Sequence, residues 1–438
     1  MQLKNRKETF LKATSKKETM TNKSISGSLA LATCALLNST ASMAQSDGKW
    51  QVDSGVLLYS EQDRVDAVEP AIKLTRHLDG DKNIAVKLVV DTLTGASPNG
   101  ASPTNTPQTF TRPSGRGEYT TPAGDIPLDD TFHDSRTQIA INYDQPWGET
   151  SRINVGANLS SEFDYTSIGF NGSWQKDFNL HNTTLLFGLA FAADQADPIG
   201  GIPTPFASMQ PAGSAQPREG SNDSKTVADF IAGLTQVINR NTLMQWNYSY
   251  SQVSGYQNDP FKVVSIVDNV TGVTLDNIYE NRPDTRAKHS LFWKTKYFTP
   301  WHDTVELALR YMTDDWGIDS TTIDLHYRWN LGEKWYLEPH YRLYNQTAAD
   351  FYRHSVPDNV ALGDYLSADY RLAEFDATTF GIKFGYDVSD ALAYSIRLES
   401  YQQSGDKNPS DAIGVQQQVD LFPDLDATIV QFGFRYRW

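Results

Sequence analysis

From Trp50 onward apolar and polar side chains alternate with period two, in short runs set apart by Gly, Pro, Asn and Asp. The clearest run closes the chain. Over 429–438, Val430, Phe432, Phe434, Tyr436 and Trp438 share one face of an extended strand, while Gln431, Gly433, Arg435 and Arg437 share the other. One face wholly apolar and the other cationic suits a transmembrane barrel wall, with lipid outside and water inside. A buried sandwich strand is the competing reading.

The same pattern predicts about sixteen strands, at 50–60, 67–78, 84–94, 135–145, 150–161, 164–176, 182–193, 225–238, 242–254, 286–298, 303–313, 319–331, 335–346, 373–387, 391–402 and 426–438. Connections after even-numbered strands are tight: LDGDKN (78–83), QPWGE (145–149), KDFNLHN (176–182), NRN (239–241), TPWHD (299–303), LGEKW (331–335) and VSDA (388–391). Odd strands lead into longer or more polar connections, the largest at 95–134, 194–224, 255–285, 347–372 and 403–425. The prediction is all-β: one antiparallel up-and-down outer-membrane barrel with short periplasmic turns and long extracellular loops. Its last strand should pair with the first, near Trp50 to Tyr59, to remove free sheet edges. The terminal aromatics Phe432, Phe434, Tyr436 and Trp438 also resemble the signal that the bacterial barrel-assembly machinery recognises.

Strand faces predict what lines the lumen. Ile323, Leu325, Tyr327 and Trp329 should face lipid, leaving Asp324, His326 and Arg328 inside. On the next strand Trp335, Leu337, Tyr341 and Leu343 face out, and Glu338, His340 and Arg342 face in. A turn centred on Glu333 sets Asp324 opposite Arg342, His326 opposite His340 and Arg328 opposite Glu338, so both charged pairs are complementary. With Glu306 and Arg310 on the preceding strand these form a ladder of charge, and Lys294, Lys383, Arg397, Glu399, Arg435 and Arg437 should face the same way. The ladder reads either as a field that sorts solutes or as ion pairs that stiffen the wall.

Composition agrees with this reading. No run approaches the roughly 18–20 apolar residues of a membrane helix, and mean hydropathy is -0.49. The 21 Tyr, 20 Phe and 10 Trp would supply interfacial girdles. Residues 20–44 read as a secretory signal: Lys23, an apolar stretch from Ile25 to Leu37, and Ser42-Met43-Ala44 as cleavage site. Met20 is the more natural start, so residues 1–44 are expected to be an extension plus signal and 45–438 the barrel. Cleavage removes the lone cysteine, Cys34, and leaves 31 basic against 51 acidic residues. A disulfide-free acidic chain fits a Gram-negative envelope protein and argues against nucleic acid as a partner.

Catalytic signatures are absent from the sequence: no Gly-x-Ser-x-Gly, no phosphate-cradling glycine loop, no His-Glu-x-x-His. His289-Ser290, and His326 with its hydroxyl neighbours, are faint hydrolase candidates. No cofactor is specified. His326 opposite His340, with acids nearby, could hold a transition metal or simply be solvated. Loop acids gather as Asp125, Asp129, Asp130 and Asp134, then Asp259, Asp268, Asp276, Glu280 and Asp284, then Asp350, Asp358, Asp364 and Asp369. They read as solvated loop or as sites for divalent cations.

Five ordered phrases carry a resemblance: DTLTGASP (91–98), GYQNDPFKVVS (255–265), ENRPDTRAKHS (280–290), RYMTDDWGIDSTT (310–322) and NQTAADFY (345–352). Together they resemble an uncharacterised proteobacterial family, catalogued as a domain of unknown function and read as outer-membrane barrels. Family usage has Ser-His-Thr where this chain has Ser320-Thr321-Thr322. The resemblance implies a setting near a small lipoprotein, a thioredoxin-like protein and a periplasmic flavin transferase, hence an envelope redox or metal-handling system. On the strand map the phrases place Asp91, Asp259, Arg282, Asp284, Arg286, Asp314, Asp315, Trp316, Asp319, Asp350 and Tyr352 at one rim. They would pin the loops into a lid or form a ligand site at the mouth. The functional expectation is passage or export of a small solute or ion. The alternative is a closed barrel anchoring a periplasmic or lipoprotein partner, and an outer-membrane hydrolase comes third.

Overall fold

The computed structural model describes residues 49–62 and 64–438. The expected signal and Cys34 lie outside the described residues. Sixteen antiparallel strands form a closed barrel: β1 (Trp50–Glu61), β2 (Asp66–Leu78), β3 (Lys82–Pro98), β4 (Leu128–Pro146), β5 (Ser151–Ser161), β6 (Tyr165–Phe178), β7 (Thr183–Ala196), β8 (Asp223–Asn239), β9 (Thr242–Gly255), β10 (Thr285–Phe298), β11 (Thr304–Asp314), β12 (Asp319–Leu331), β13 (Trp335–Gln346), β14 (Phe375–Ser389), β15 (Leu392–Gly405) and β16 (Leu425–Arg437). Each pairs with its neighbours in sequence. β16 returns to β1 in unbroken register from Gln51↔Arg437 to Glu61↔Ala427. Trp438 and Trp50 exchange backbone hydrogen bonds at 2.9 Å and stack their rings 6.5 Å apart.

All sixteen predicted segments are strand. The main departure is at β3 and β4, which extend to Pro98 and back to Leu128 and shorten the predicted 95–134 loop. Pairs such as Thr94↔His133 and Ser97↔Asp129 continue the ladder there. Neither face of that extension needs to be apolar, so the period-two signal fades while the backbone pairing goes on.

The outer face is the lipid belt that the alternation predicts. Leu189, Phe380 and Phe170 are 60–65% exposed, along with Ile323, Leu325, Tyr341, Leu343 and Phe432. In water so continuous an apolar surface would drive aggregation, whereas against acyl chains it is matched. Trp147, Trp301, Trp329, Trp335 and Trp438 are exposed near the short-turn end, as an interfacial girdle requires.

The densest packing lies in the long loops, not inside the barrel wall. Val263–Val267 pairs with Thr274–Tyr279 on one side and with Val356–Pro357 on the other. Val263, Val264 and Val267 are fully buried, each side chain contributing about 1.5–3 kcal/mol. Val264, Ile278, Val356, Leu366 and Ala368 form one core; Trp316, Ile318, Ala349, Phe351 and Leu372 form another. Segments from distant loops interlock: Val263 N–H donates to the Asn99 carbonyl (2.9 Å), Ser102 hydroxyl to the His354 carbonyl (2.7 Å), and Gln416 amide to Ser355 (2.8 Å). The loops therefore make a folded cap.

Phe432→Arg would put a charge on the lipid face opposite Val56, costing about 2–4 kcal/mol near the midplane. The expected outcome is a lower yield of the heat-modifiable folded band and a lower urea midpoint, with Gln431→Arg, on the lumen face, close to wild type. Equal behaviour of the two variants would reject the assigned faces.

Candidate functional site

The family phrases converge in the cap. Asp259, Lys262, Glu280, Arg282, Asp369 and Arg371 come from three loop segments and gather six charges, three of each sign, around one point, all but the half-buried Arg371 with buried side chains. Arg282 pairs with Glu280 at 2.7 Å and with Asp369 at 2.9 Å. Arg371 pairs with Asp259 at 2.7 Å and with Asp369. Glu280 also accepts from the Asp259 backbone N–H (2.6 Å) and the Ser367 hydroxyl (2.5 Å), and Lys262 donates to the Pro98 carbonyl. Burial favours the neutral form of Asp369, but Arg371, Arg282 and Lys262 overcome it and hold the carboxyl below its usual range. For Glu280 burial wins over Arg282, and its pKa is raised. Burial likewise lowers that of Lys262.

This corrects the expectation for the loop acids. Asp259, Glu280 and Asp369 are neither solvated nor free for a divalent cation, because guanidinium groups already fill their coordination sphere. Asp268 caps its own turn, accepting from Thr271 N–H at 2.7 Å, and Asp276 accepts from Ser208 at 2.5 Å. Lys262 and Arg371 were not singled out in the sequence, although Lys262 ends the NDPFK phrase.

The remaining rim residues form smaller pins. Arg286 grips Asp314 with two nitrogens and lies 4.3 Å over the Trp316 ring, whose indole N–H donates to the Thr285 carbonyl (2.8 Å). Asp315 accepts from Ala287 N–H (2.9 Å), and Asp91 is bound by Arg136. Tyr352 packs beside the Trp316 core. Asp284, Asp319 and Asp350 are exposed. A cleft of about 900 Å³ opens among these loops, lined by Trp316, Phe351, Arg353, His354, Tyr365 and Asp411.

In the wall, β12 and β13 pair in the predicted register, with Asp324↔Arg342, His326↔His340 and Trp329↔Leu337. The predicted ion pairs, however, are not the contacts made. Asp324 instead reaches His326 at 2.9 Å and His340 at 3.3 Å. Arg328 lies 3.6 Å over the Tyr336 ring, and Arg342 is exposed to the lumen. The imidazoles stack at 4.1 Å with 4° between planes. Their other nitrogens face Glu338 (3.6 Å) and Glu399 (2.8 Å). Glu306 pairs with Lys296 at 2.7 Å, and Arg310 lies 5.5 Å over Phe292.

Glu399 reaches His340 across an intervening strand. His340 is opposite Gly381 on β14, and Gly381 is opposite Glu399 on β15. A Cβ at Gly381 would stand 2.6 Å from Glu399 Cγ, so only glycine leaves that passage open. The hydrolase candidate His289-Ser290 is divided between faces: His289 points outward, receiving or donating a 2.8 Å hydrogen bond with Tyr248, and Ser290 lies on the opposite face.

A family model described as "Protein of unknown function (DUF3570)" matches residues 26–436. The chain belongs to this family. No curated protein matches. Among solved structures, this DUF3570 chain is similar to a bacterial polysaccharide outer membrane secretin at 8% identity and TM-score 0.44, covering 90% of this chain and 98% of that one. It is similar to the ferric enterobactin receptor of Pseudomonas aeruginosa at 9% and 0.43, covering 86% of this chain and 58% of the receptor. A monoaromatic hydrocarbon channel, CymD, gives 8% and 0.39, with 90% and 89% covered. At these values the DUF3570 barrel rests on its own ladder of strand pairs.

Two predictions concern the cap. Arg282→Ala leaves Glu280 buried without its guanidinium and Asp369 with Arg371 alone, a loss of about 3–5 kcal/mol. Protease added to the membrane-embedded protein is then expected to cut within 256–284 or 347–374, while the barrel keeps its heat-modifiable mobility; unchanged protection would reject the network as the cap's support. Because the folded pKa of Asp369 is depressed, its contribution is complete above the unfolded carboxylate value of about 3.9. It is lost only as pH falls through the depressed value. Acidification from pH 7 to 5 should leave wild-type protection at Asp369's pins intact, and Asp369→Asn should already be cut at pH 7; equal protection at pH 7 would reject the assignment.

Proposed function

We propose that this protein is a capped outer-membrane pore that passes a small polar solute or ion, exported by the segment ending at Ala44 and seated with its long loops outside. The observation that carries the reading is a wall of ionisable side chains on the lumen face, Glu306, Arg310, Asp324, His326, Arg328, Glu338, His340 and Arg342, beneath a folded cap. A purely structural wall has little need for so many charges facing water, whereas selection by field uses them. In this reading the 900 Å³ cleft beside Trp316, Arg353 and Tyr365 is the outer vestibule, and the Arg286–Asp314 and Arg282–Asp369 pins set how readily the cap yields. The envelope redox or metal-handling setting implied by the family resemblance would supply or use the solute.

A second reading is a closed barrel that anchors a periplasmic or lipoprotein partner. The fully buried Val263, Val264 and Val267 favour it, because a cap with such a core resembles a permanent plug. Planar-bilayer recording separates the two. The pore reading expects small unitary currents from wild type, larger ones from Arg282→Ala, and a shift of reversal potential toward cations on replacing Arg310, Arg328 and Arg342 by Gln. Silence from both wild type and Arg282→Ala would overturn the pore and leave the anchor.

A further inference from the structure

We propose that Asp324, His326 and His340 form a two-histidine, one-carboxylate site for a divalent first-row transition metal on the lumen wall near mid-strand. Their ligand atoms all lie within 4.8 Å of one another. Both Nε2 atoms point at the same carboxylate, His326 at Oδ1 (2.9 Å) and His340 at Oδ2 (3.3 Å). Three donors from two adjacent strands thus converge on the space a metal would occupy.

A second, independent feature turns the cluster into a built site. Each imidazole has its own outer carboxylate at Nδ1: Glu338 for His326 at 3.6 Å and Glu399 for His340 at 2.8 Å. An Nδ1–H held by an acid leaves the Nε2 lone pair aimed inward, the arrangement by which carboxylates orient metal-binding histidines. The glycine at 381 exists in this register where Glu399 must pass to reach His340. Such an approach has no use in a wall of generic solvated charges.

The site is marked by convergence and not by net charge: Asp324, Glu338 and Glu399 are matched by Arg342, opposite Asp324, Lys383, opposite Glu338, and Arg397, 3.6 Å from Glu399. Without a metal, four carboxylate-facing nitrogens could all donate only if both rings were cationic, and those rings are stacked at 4.1 Å. One divalent ion at the inner nitrogens relieves that opposition while the outer hydrogen bonds persist. Ligation requires the rings to tilt from their parallel stack, a change in χ2, which has broad wells. Imidazole with carboxylate selects zinc, iron or cobalt over calcium or magnesium, and three protein ligands leave positions open for water or solute.

The assignment is independent of whether the lumen conducts. Tag-free full-length protein in detergent, stripped with chelator, is titrated with Co²⁺ alone and followed by visible d–d absorption, with Mg²⁺ as a control. The expected result is saturation at one equivalent, no effect of Mg²⁺, and loss of the bands in His326→Ala and His340→Asn at unchanged heat-modifiable mobility. Gly381→Ala keeps all three ligands but displaces Glu399, and is expected to weaken affinity about 10- to 100-fold. It also serves as the test should a histidine variant fail to fold. No uptake by wild type, or uptake unchanged in Gly381→Ala and in whichever histidine variants fold, would overturn the site.

Discussion

Everything in this molecule depends on one constraint: within hydrocarbon a backbone N–H or C=O has no water to bond and must find its partner in the protein. A sheet meets that demand only by closing. The ladder of β1 against β16, eleven residue pairs from Gln51↔Arg437 to Glu61↔Ala427, is therefore the condition on which the other fifteen interfaces rest. Once closure fixes an inside and an outside, the period-two pattern has no freedom left. A one-residue slip would carry Asp324, His326 and Arg328 into lipid and Leu325 and Tyr327 into water.

That rigidity explains why the barrel was legible in the sequence. Alternation is a local signal, reinforced by lipid on one side, and the β12–β13 pairs follow from a single turn centred on Glu333. Contacts above the strands were less legible. Asp369 meets Arg282 across 87 residues and Arg371 meets Asp259 across 112, distances at which no periodicity links the partners. Loop acids consequently looked solvated, although three of them are among the most buried groups in the chain. The family phrases held the better clue: NDPFK and ENRPDTR place both signs of charge within a few residues, and Asp259, Lys262, Glu280 and Arg282 all lie in the cap network.

The lumen contacts failed in a more specific way. Register gives which Cα atoms are opposite, and that was right. It does not give where long side chains go once the surface curves. Asp324 passes over its opposite number, Arg342, for one imidazole on its own strand and one on β13, and Arg328 prefers the Tyr336 ring to Glu338. Gly381 shows the reason most plainly, since a missing side chain on β14 lets β13 and β15 touch. Pairwise strand reasoning has no place for a contact between next-nearest strands.

The cap and the wall use buried charge in opposite ways. In the cap three acids meet three bases, the groups neutralise one another, and the desolvation each one suffers is offset by a partner already covalently in the chain. Such a network can be complete in the isolated protein, which is why it suits a fixed support. In the wall, Asp324, Glu338 and Glu399 turn toward two histidines and not toward Arg342 and Lys383, the cations opposite them. Both inner nitrogens meet one carboxylate there, a convergence that protons on the rings or one ion between them would complete. The asymmetry separates the two regions by role: the cap's charges are spent on one another, and the cluster whose inner donors converge is the one facing the space through which something could pass.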